Sequence, residues 1–146
     1  MILFAQAPGK CEPMTQTPGP HHILVVDDEP VIADTFTIIL KKSGYDAFTA
    51  YSAEEALPWC LSHHPDVVFT DVVMGSMNGI QLAQHLAESL ADCKVVLMSG
   101  HILGPSLLDE LQTDQFTVFT KPVHPKKLLD FLAAYASSSP SSSHWV

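Results

Sequence analysis

Arginine is absent from this chain, and seven lysines face sixteen acidic residues, leaving a formal net charge of −9. Nucleic-acid surfaces need clustered Lys and Arg to displace counterions from phosphates, so no nucleic-acid partner is expected. The same balance argues against an anchor to an anionic membrane. Cysteine is scarce: Cys11, Cys60 and Cys93 are odd in number and widely spaced, which excludes a disulfide framework as the organising device. A reduced, cytoplasmic setting is the default that follows. No apolar run reaches the length of a membrane span, and the opening Met1-Ile2-Leu3-Phe4-Ala5 lacks the basic region of a signal peptide.

What remains is a chain of 146 residues, 47% hydrophobic, long enough for one well-filled core and too short for two. Residues 1–21 hold Pro8-Gly9, Pro13 and Pro18-Gly19-Pro20 with few large apolar groups, and read as a mobile leader. Residues 137–146 are Ser-rich and read as a disordered tail. The folded domain is expected over 22–136.

Five short apolar runs punctuate that domain: His22–Val26, Asp46–Ala50, Val67–Asp71, Lys94–Met98 and Gln115–Phe119. Stretches of helical period separate them. Pro30 suits a first helical turn, with Ile32, Phe36, Ile39 and Leu40 spaced behind it and Gly44 as the stop. Ser52-Ala53-Glu54-Glu55 has the form of a capping box, and Pro58 inside that helix predicts a kink or a shortened first turn. Ile80, Ala83, Leu86, Ala87 and Leu90 line a third helix. Leu107, Leu108 and Leu111 give a weaker fourth, and Leu128, Phe131, Leu132 and Tyr135 a last one after Pro125. Strand and helix in alternation, with near-continuous apolar strands, predict right-handed crossovers and a parallel sheet covered on both faces.

Strands that all point one way end at one edge, which is where ligands sit in open α/β sheets. The first run ends in Asp27-Asp28-Glu29, the third in Asp71, the fourth in Ser99, and the fifth is followed by Lys121-Pro122. Crowded carboxylates repel by about 4 kcal/mol per pair at ~4 Å in an effective dielectric near 20, so a counter-charge is expected. Oxygen-only ligands favour Mg²⁺, which binds through one or two carboxylates plus a phosphate. Lys121 suits a phosphoryl oxygen as a compact charge, and Ser99 can donate to another. Asp71 is then free to act as the nucleophile of an aspartyl-phosphate reaction. Asp27 and Ser99 also suit plain capping roles, and Glu29 suits solvent or a helix cap. His21-His22 and His63-His64 lack a third ligand at useful spacing and read as loop residues. Cys60 and Cys93 read as small core hydrophobes.

Ile23-Leu24-Val25-Val26-Asp27-Asp28-Glu29-Pro30, Asp71-Val72-Val73-Met74-Gly75-Ser76-Met77-Asn78-Gly79, Ser99-Gly100 and Lys121-Pro122 together resemble the receiver domain of two-component response regulators. The resemblance covers roughly residues 22–135. It implies a flavodoxin-like (βα)5 three-layer sandwich with a five-stranded parallel sheet of order 2-1-3-4-5. It further implies that Asp71 accepts a phosphoryl group from a sensor histidine kinase or a histidine phosphotransfer protein. Asp28, Asp71 and the backbone carbonyl of Val73 would hold Mg²⁺, with Asp27 acting through a metal-bound water. Ser99 and Lys121 would contact the phosphoryl group, and the Lys121-Pro122 peptide would be cis. Phosphorylation would shift a two-state equilibrium at the surface of the fourth helix, fifth strand and fifth helix. The pattern departs from the family at Val118, where an aromatic is usual, and at Gly75, where Pro is usual. Val73 and His101 stand where the family tunes dephosphorylation.

The reading is a stand-alone receiver that signals through an unidentified output protein or relays its phosphate. It catalyses its own phosphorylation and dephosphorylation but turns over no separate substrate. Two alternatives carry different expectations. A phosphate-independent docking module would keep the fold without uptake. A small Mg²⁺-dependent phosphatase resembling the haloacid dehalogenase type would place a second Asp two residues after the nucleophile, where this chain has Val73.

Overall fold

The computed structural model describes residues 22–75, 77–100 and 115–138. Five strands form one parallel sheet: β1 (His22–Val26), β2 (Asp46–Ala50), β3 (Val67–Asp71), β4 (Lys94–Ser99) and β5 (Phe116–Thr120). Their order is β2-β1-β3-β4-β5, as the resemblance implies. The described helices are α1 (Pro30–Lys42), α2 (Ala53–His63), α3 (Gly79–Ser89) and α4 (Pro125–Ser138). The expected helix around Leu107–Leu111, the leader and residues 139–146 of the tail lie outside the described residues, whereas Ser137 and Ser138, expected in the disordered tail, continue α4.

Period-2 alternation distributes the core over two faces. Leu24 and Val26 of β1, Val68 of β3 and Val95 and Leu97 of β4 pack with Ala53, Ala56 and Cys60 of α2 and Leu82, Ala83 and Leu86 of α3. Ile23, Val25, Phe69, Val96 and Met98 turn the other way, onto Ala33 and Leu40 of α1 and Leu128 and Leu132 of α4. Every residue of β3 is buried, as expected for a central strand covered on both faces. Phe131 meets Phe69 and Phe119 edge-on, with centroids 6.0 and 5.7 Å apart, an arrangement worth about 0.5–1.5 kcal/mol per pair beyond burial.

Phe119 and Val118 therefore serve opposite faces. Phe119 is buried toward α4, whereas Val118 packs with the α2–α3 layer beside Phe116. An aromatic at 119 cannot stand in for one at 118, because neighbouring strand residues point apart.

Local details differ from expectation in two places. Helix α2 begins at Ala53 and runs through Pro58 to His63, so of the kink or shortened first turn expected from Pro58 the shortening is not found. Its cap is only half a capping box. Ser52 accepts the Glu55 amide at 3.0 Å, but the Glu55 carboxylate accepts from the amide of Tyr51 rather than Ser52. The full reciprocal box is found instead at α3, between Asn78 and Gln81. Gly44, at φ +100°, ends α1 in the backbone region that glycine enters most freely. Cys60 and Cys93 are buried free thiols. No described helix is long and apolar enough to cross a membrane.

Candidate functional site

Strand registers set the composition of one sheet edge. Val26 lies beside Thr70, Asp71 beside Met98, and Ser99 beside Thr120, so β1, β3, β4 and β5 stop nearly level. The residues at those stops, Asp27, Asp71, Ser99 and Lys121, are delivered to a common rim. The Lys121 amide donates to the Ser99 carbonyl at 2.7 Å, tying the last two together. The Lys121-Pro122 peptide is cis.

The Lys121 ammonium stands 3.0 Å from Asp71 Oδ1 and 3.8 Å from Asp27 Oδ2. Burial alone pushes the lysine pKa down. The carboxylates of Asp71, Asp27 and Glu29 outweigh that and hold it above its ordinary value, so Lys121 is charged throughout the physiological range. Asp27 is fully buried, and its Oδ1 accepts the Glu29 amide at 2.9 Å. That bond is a turn contact ahead of α1, whose N-cap is Glu29 and carries no side-chain cap. Asp27 therefore does not cap the helix, and the bond occupies only one of its oxygens. Among the described residues, Asp27 Oδ2 is buried with no hydrogen-bond partner. Burial, opposed by the Glu29 amide and by Lys121 but reinforced by Asp71 and Asp28, holds the Asp27 carboxyl above the usual carboxylate range.

Carboxylate oxygens of Asp27, Asp28 and Asp71 lie within 4.8 Å of one another. Three carboxylates less the one Lys121 ammonium leave two negative charges, matched in number by a divalent cation. Each carboxylate pair repels by about 3 kcal/mol at ~5 Å and an effective dielectric near 20. The donors are all hard oxygens, and one is buried and otherwise unsatisfied; this set fits Mg²⁺ better than it fits a softer metal. Val73 lies two residues beyond Asp71 with its side chain 54% exposed. Ser99 is buried at the end of β4. Among the described residues no other group of three Asp, Glu, His or Cys side chains forms such a cluster. His63 instead stacks on Trp59, with centroids 4.3 Å apart.

The raised Asp27 pKa has a consequence for stability. Above the ordinary value of 3.8, the folded protein binds more protons at this carboxyl than the unfolded chain does. Its contribution is therefore present at low pH and lost as pH rises through the folded-state pKa. Without a divalent cation, Asp27→Asn is expected to raise the midpoint of thermal unfolding near pH 7 by a few degrees, about 1 kcal/mol, while weakening Mg²⁺ binding. Thermal melts of both proteins with and without Mg²⁺ check this. An unchanged or lowered midpoint in EDTA would show that Asp27 imposes no such penalty.

Two supports of the rim differ in how far the sequence shows them. Gly79 opens α3 with its amide donating to the Val72 carbonyl at 2.8 Å, against the backbone of Asp71. Glu54 of α2 accepts the amide of Met77 at 3.0 Å across 23 residues. A Gly after the acceptor loop was a visible signal; the Glu54 contact had none.

Residues 23–133 match the response regulator receiver domain family. The chain is 32% identical over 114 residues to the transcriptional regulatory protein YvrH of Bacillus subtilis, covering 77% of this chain and 48% of that one. It is 31% identical over 104 residues to the transcriptional regulatory protein GlrR of Escherichia coli, covering 71% and 23%. The crystal structure of a two-component transcriptional regulator AraC from Clostridium phytofermentans superposes with a TM-score of 0.70 at 27% identity, covering 86% of this chain and 99% of that one. A CheY-like receiver from Methanospirillum hungatei superposes at 0.75 and 23% identity over 84% and 98%, a likeness of fold. The chain thus spans half or less of the two curated relatives, both named as transcriptional regulators. The expectation of no nucleic-acid partner finds no support in them. The acid-and-lysine rim and the sequence match, reached separately, agree: the chain belongs to the response regulator receiver domain family.

Proposed function

We propose that this receiver takes a phosphoryl group onto Asp71 from the phosphohistidine of a sensor kinase or histidine phosphotransfer protein. The observation that carries this reading is the Lys121 ammonium 3.0 Å from Asp71 Oδ1, on a rim where three carboxylates crowd together. Asp71 attacks phosphorus in line; the P–O bond forms as the P–N bond breaks, and the imidazole leaves with the electron pair and takes up a proton. Lys121 carries a fixed positive charge to the phosphoryl oxygens without needing to gain a proton. Ser99 donates its hydroxyl to another of those oxygens. Asp28, Asp71 and the Val73 carbonyl would hold Mg²⁺, with Asp27 reaching it through water; when bound, the ion neutralises charge on the transferring group. The reverse attack by water on the acyl phosphate resets the site, so the protein supports its own phosphorylation and dephosphorylation.

The Asp27 side chain is 1% exposed and that of Asp71 10%, while Asp28 is exposed, so Asp71 is reachable where Asp27 is not, and the Lys121 ammonium 3.0 Å from its Oδ1 distinguishes it from Asp28. Output passes to a partner protein in the cytoplasm, or the phosphate is relayed onward, through changes at β5 and α4. With Val118 on the α2–α3 face, that coupling works without an aromatic rotamer at this position. Whether the receiver acts alone or as part of a longer regulator leaves the chemistry at Asp71 the same.

Incubation with acetyl phosphate and Mg²⁺, read by intact mass, is expected to give one base-labile phosphoryl adduct, prevented by EDTA. No adduct would leave a phosphate-independent docking module. Steady release of phosphate from free phosphoesters would instead revive the phosphatase.

A further inference from the structure

The loop that leaves Asp71 returns to α3 through Met77 and Asn78, and its closure is held at three successive amides. The Gly79 amide bonds the Val72 carbonyl at 2.8 Å, the Asn78 amide bonds Gln81 Oε1 at 2.9 Å, and the Met77 amide bonds Glu54 Oε2 at 3.0 Å. The first two are local to the loop and its helix. The third is supplied by a side chain from the other end of the α2–β3 unit.

Glu54 lies in the first turn of α2, where an acid commonly does no more than complement the helix dipole. Its neighbour Glu55 fits that ordinary description, turning back to the Tyr51 amide at 2.9 Å. Glu54 turns outward instead and accepts from the returning arm of the loop. A carboxylate is the acceptor to use at an exposed position, because a charge-assisted bond to an amide is roughly twice as strong as a neutral one. The outgoing arm starts at Asp71 itself, whose carbonyl also accepts the Thr70 hydroxyl at 3.0 Å. Fixing the return of the loop therefore limits where its start, and with it the acceptor carboxylate, can move.

We propose that Glu54 is a positioning residue for phosphoryl transfer, holding the acceptor loop closed through the Met77 amide. This rests on the reading of Asp71 as the phospho-acceptor. In-line transfer is sensitive to placement, and a shift near 1 Å can cost about a hundredfold in rate, so partial loosening should cost less.

The test uses the full chain with acetyl phosphate and Mg²⁺. Glu54→Ala is expected to slow uptake at saturating donor about tenfold and to speed hydrogen exchange at the Met77 amide. Glu54→Gln keeps a carbonyl acceptor and should recover uptake to within about threefold of the native rate. Glu55→Ala removes an acid from the same helical turn but not from the loop, and serves as the control for simple weakening of α2. Native uptake by Glu54→Ala, unchanged Met77 exchange, or an equal loss in Glu55→Ala would each overturn the proposal. Absence of uptake by the unmodified protein would instead remove the phospho-acceptor reading, and this one with it.

Discussion

Asp71→Asn is expected to abolish phosphoryl uptake while leaving a folded protein. The substitution keeps the shape of the side chain and one carbonyl oxygen, but an amide is no nucleophile toward phosphorus at neutral pH. Loss should reach at least about a hundredfold, equivalent to ~2.7 kcal/mol in the barrier, which is the floor set by detection rather than by chemistry. Stability should change little, because two effects oppose. Lys121 loses the charge 3.0 Å from its ammonium, while Asp27 loses a like-charged neighbour that helps to hold its carboxyl in the protonated direction. Intact mass after incubation with acetyl phosphate and Mg²⁺, alongside a thermal melt, checks both halves. Uptake by the Asn variant at the native rate would move the acceptor to Asp27 or Asp28. The first of these is the less accessible, with a side chain 1% exposed.

The rim was legible in the sequence because strand ends are legible. Each of β1, β3 and β4 is an apolar run that stops at a polar residue, and parallel strands must stop on the same side. Lys121 followed by the same rule from β5. Strand order is a different matter: apolar runs do not say which neighbours pair, and 2-1-3-4-5 came from the resemblance to receivers rather than from the pattern. Contacts between segments distant in sequence were also invisible. Nothing in Ser52-Ala53-Glu54-Glu55 shows that one acid bonds its own helix start and the other bonds Met77. Helix faces were read approximately. In α1 the buried stripe is Ala33, Thr37 and Leu40, because Thr37 hides its hydroxyl in a bond to the Ala33 carbonyl at 2.8 Å and meets Thr49 of β2 at 2.7 Å. A threonine satisfied in this way sits where a pattern of apolar residues does not look for it.

Gly79→Ala sets helix propensity against packing, and packing should win. Alanine is favoured over glycine by about 0.8–1 kcal/mol in a helix interior and by less at the first helical position that Gly79 holds, so propensity alone predicts a slightly more stable protein. The new Cβ, however, would fall inside van der Waals contact with the Asp71 carbonyl oxygen, 3.0 Å from its carbon and 3.1 Å from Val72 Cα. All three are backbone atoms, so no side-chain rotation relieves the clash. Either α3 slides outward or the Asp71–Val72 segment shifts, and the Gly79–Val72 hydrogen bond is strained in both cases. Overpacking of this kind costs about 1–3 kcal/mol, occasionally more. With the clash lying on the backbone, the upper part of that range applies, and a net loss of about 2 kcal/mol should lower the unfolding midpoint by roughly 5–10 °C. Because the displaced carbonyl belongs to the acceptor itself, uptake of phosphate should fall further than stability does, by up to about a hundredfold. Gly75→Ala supplies the contrast, since among the described residues a Cβ there meets nothing within 4 Å although the residue lies in the same loop. Thermal melts and uptake rates of the two variants separate the alternatives. A Gly79→Ala protein as stable as the parent and phosphorylated at the same rate would mean that α3 yields freely, and that the close approach to Asp71 holds nothing in place.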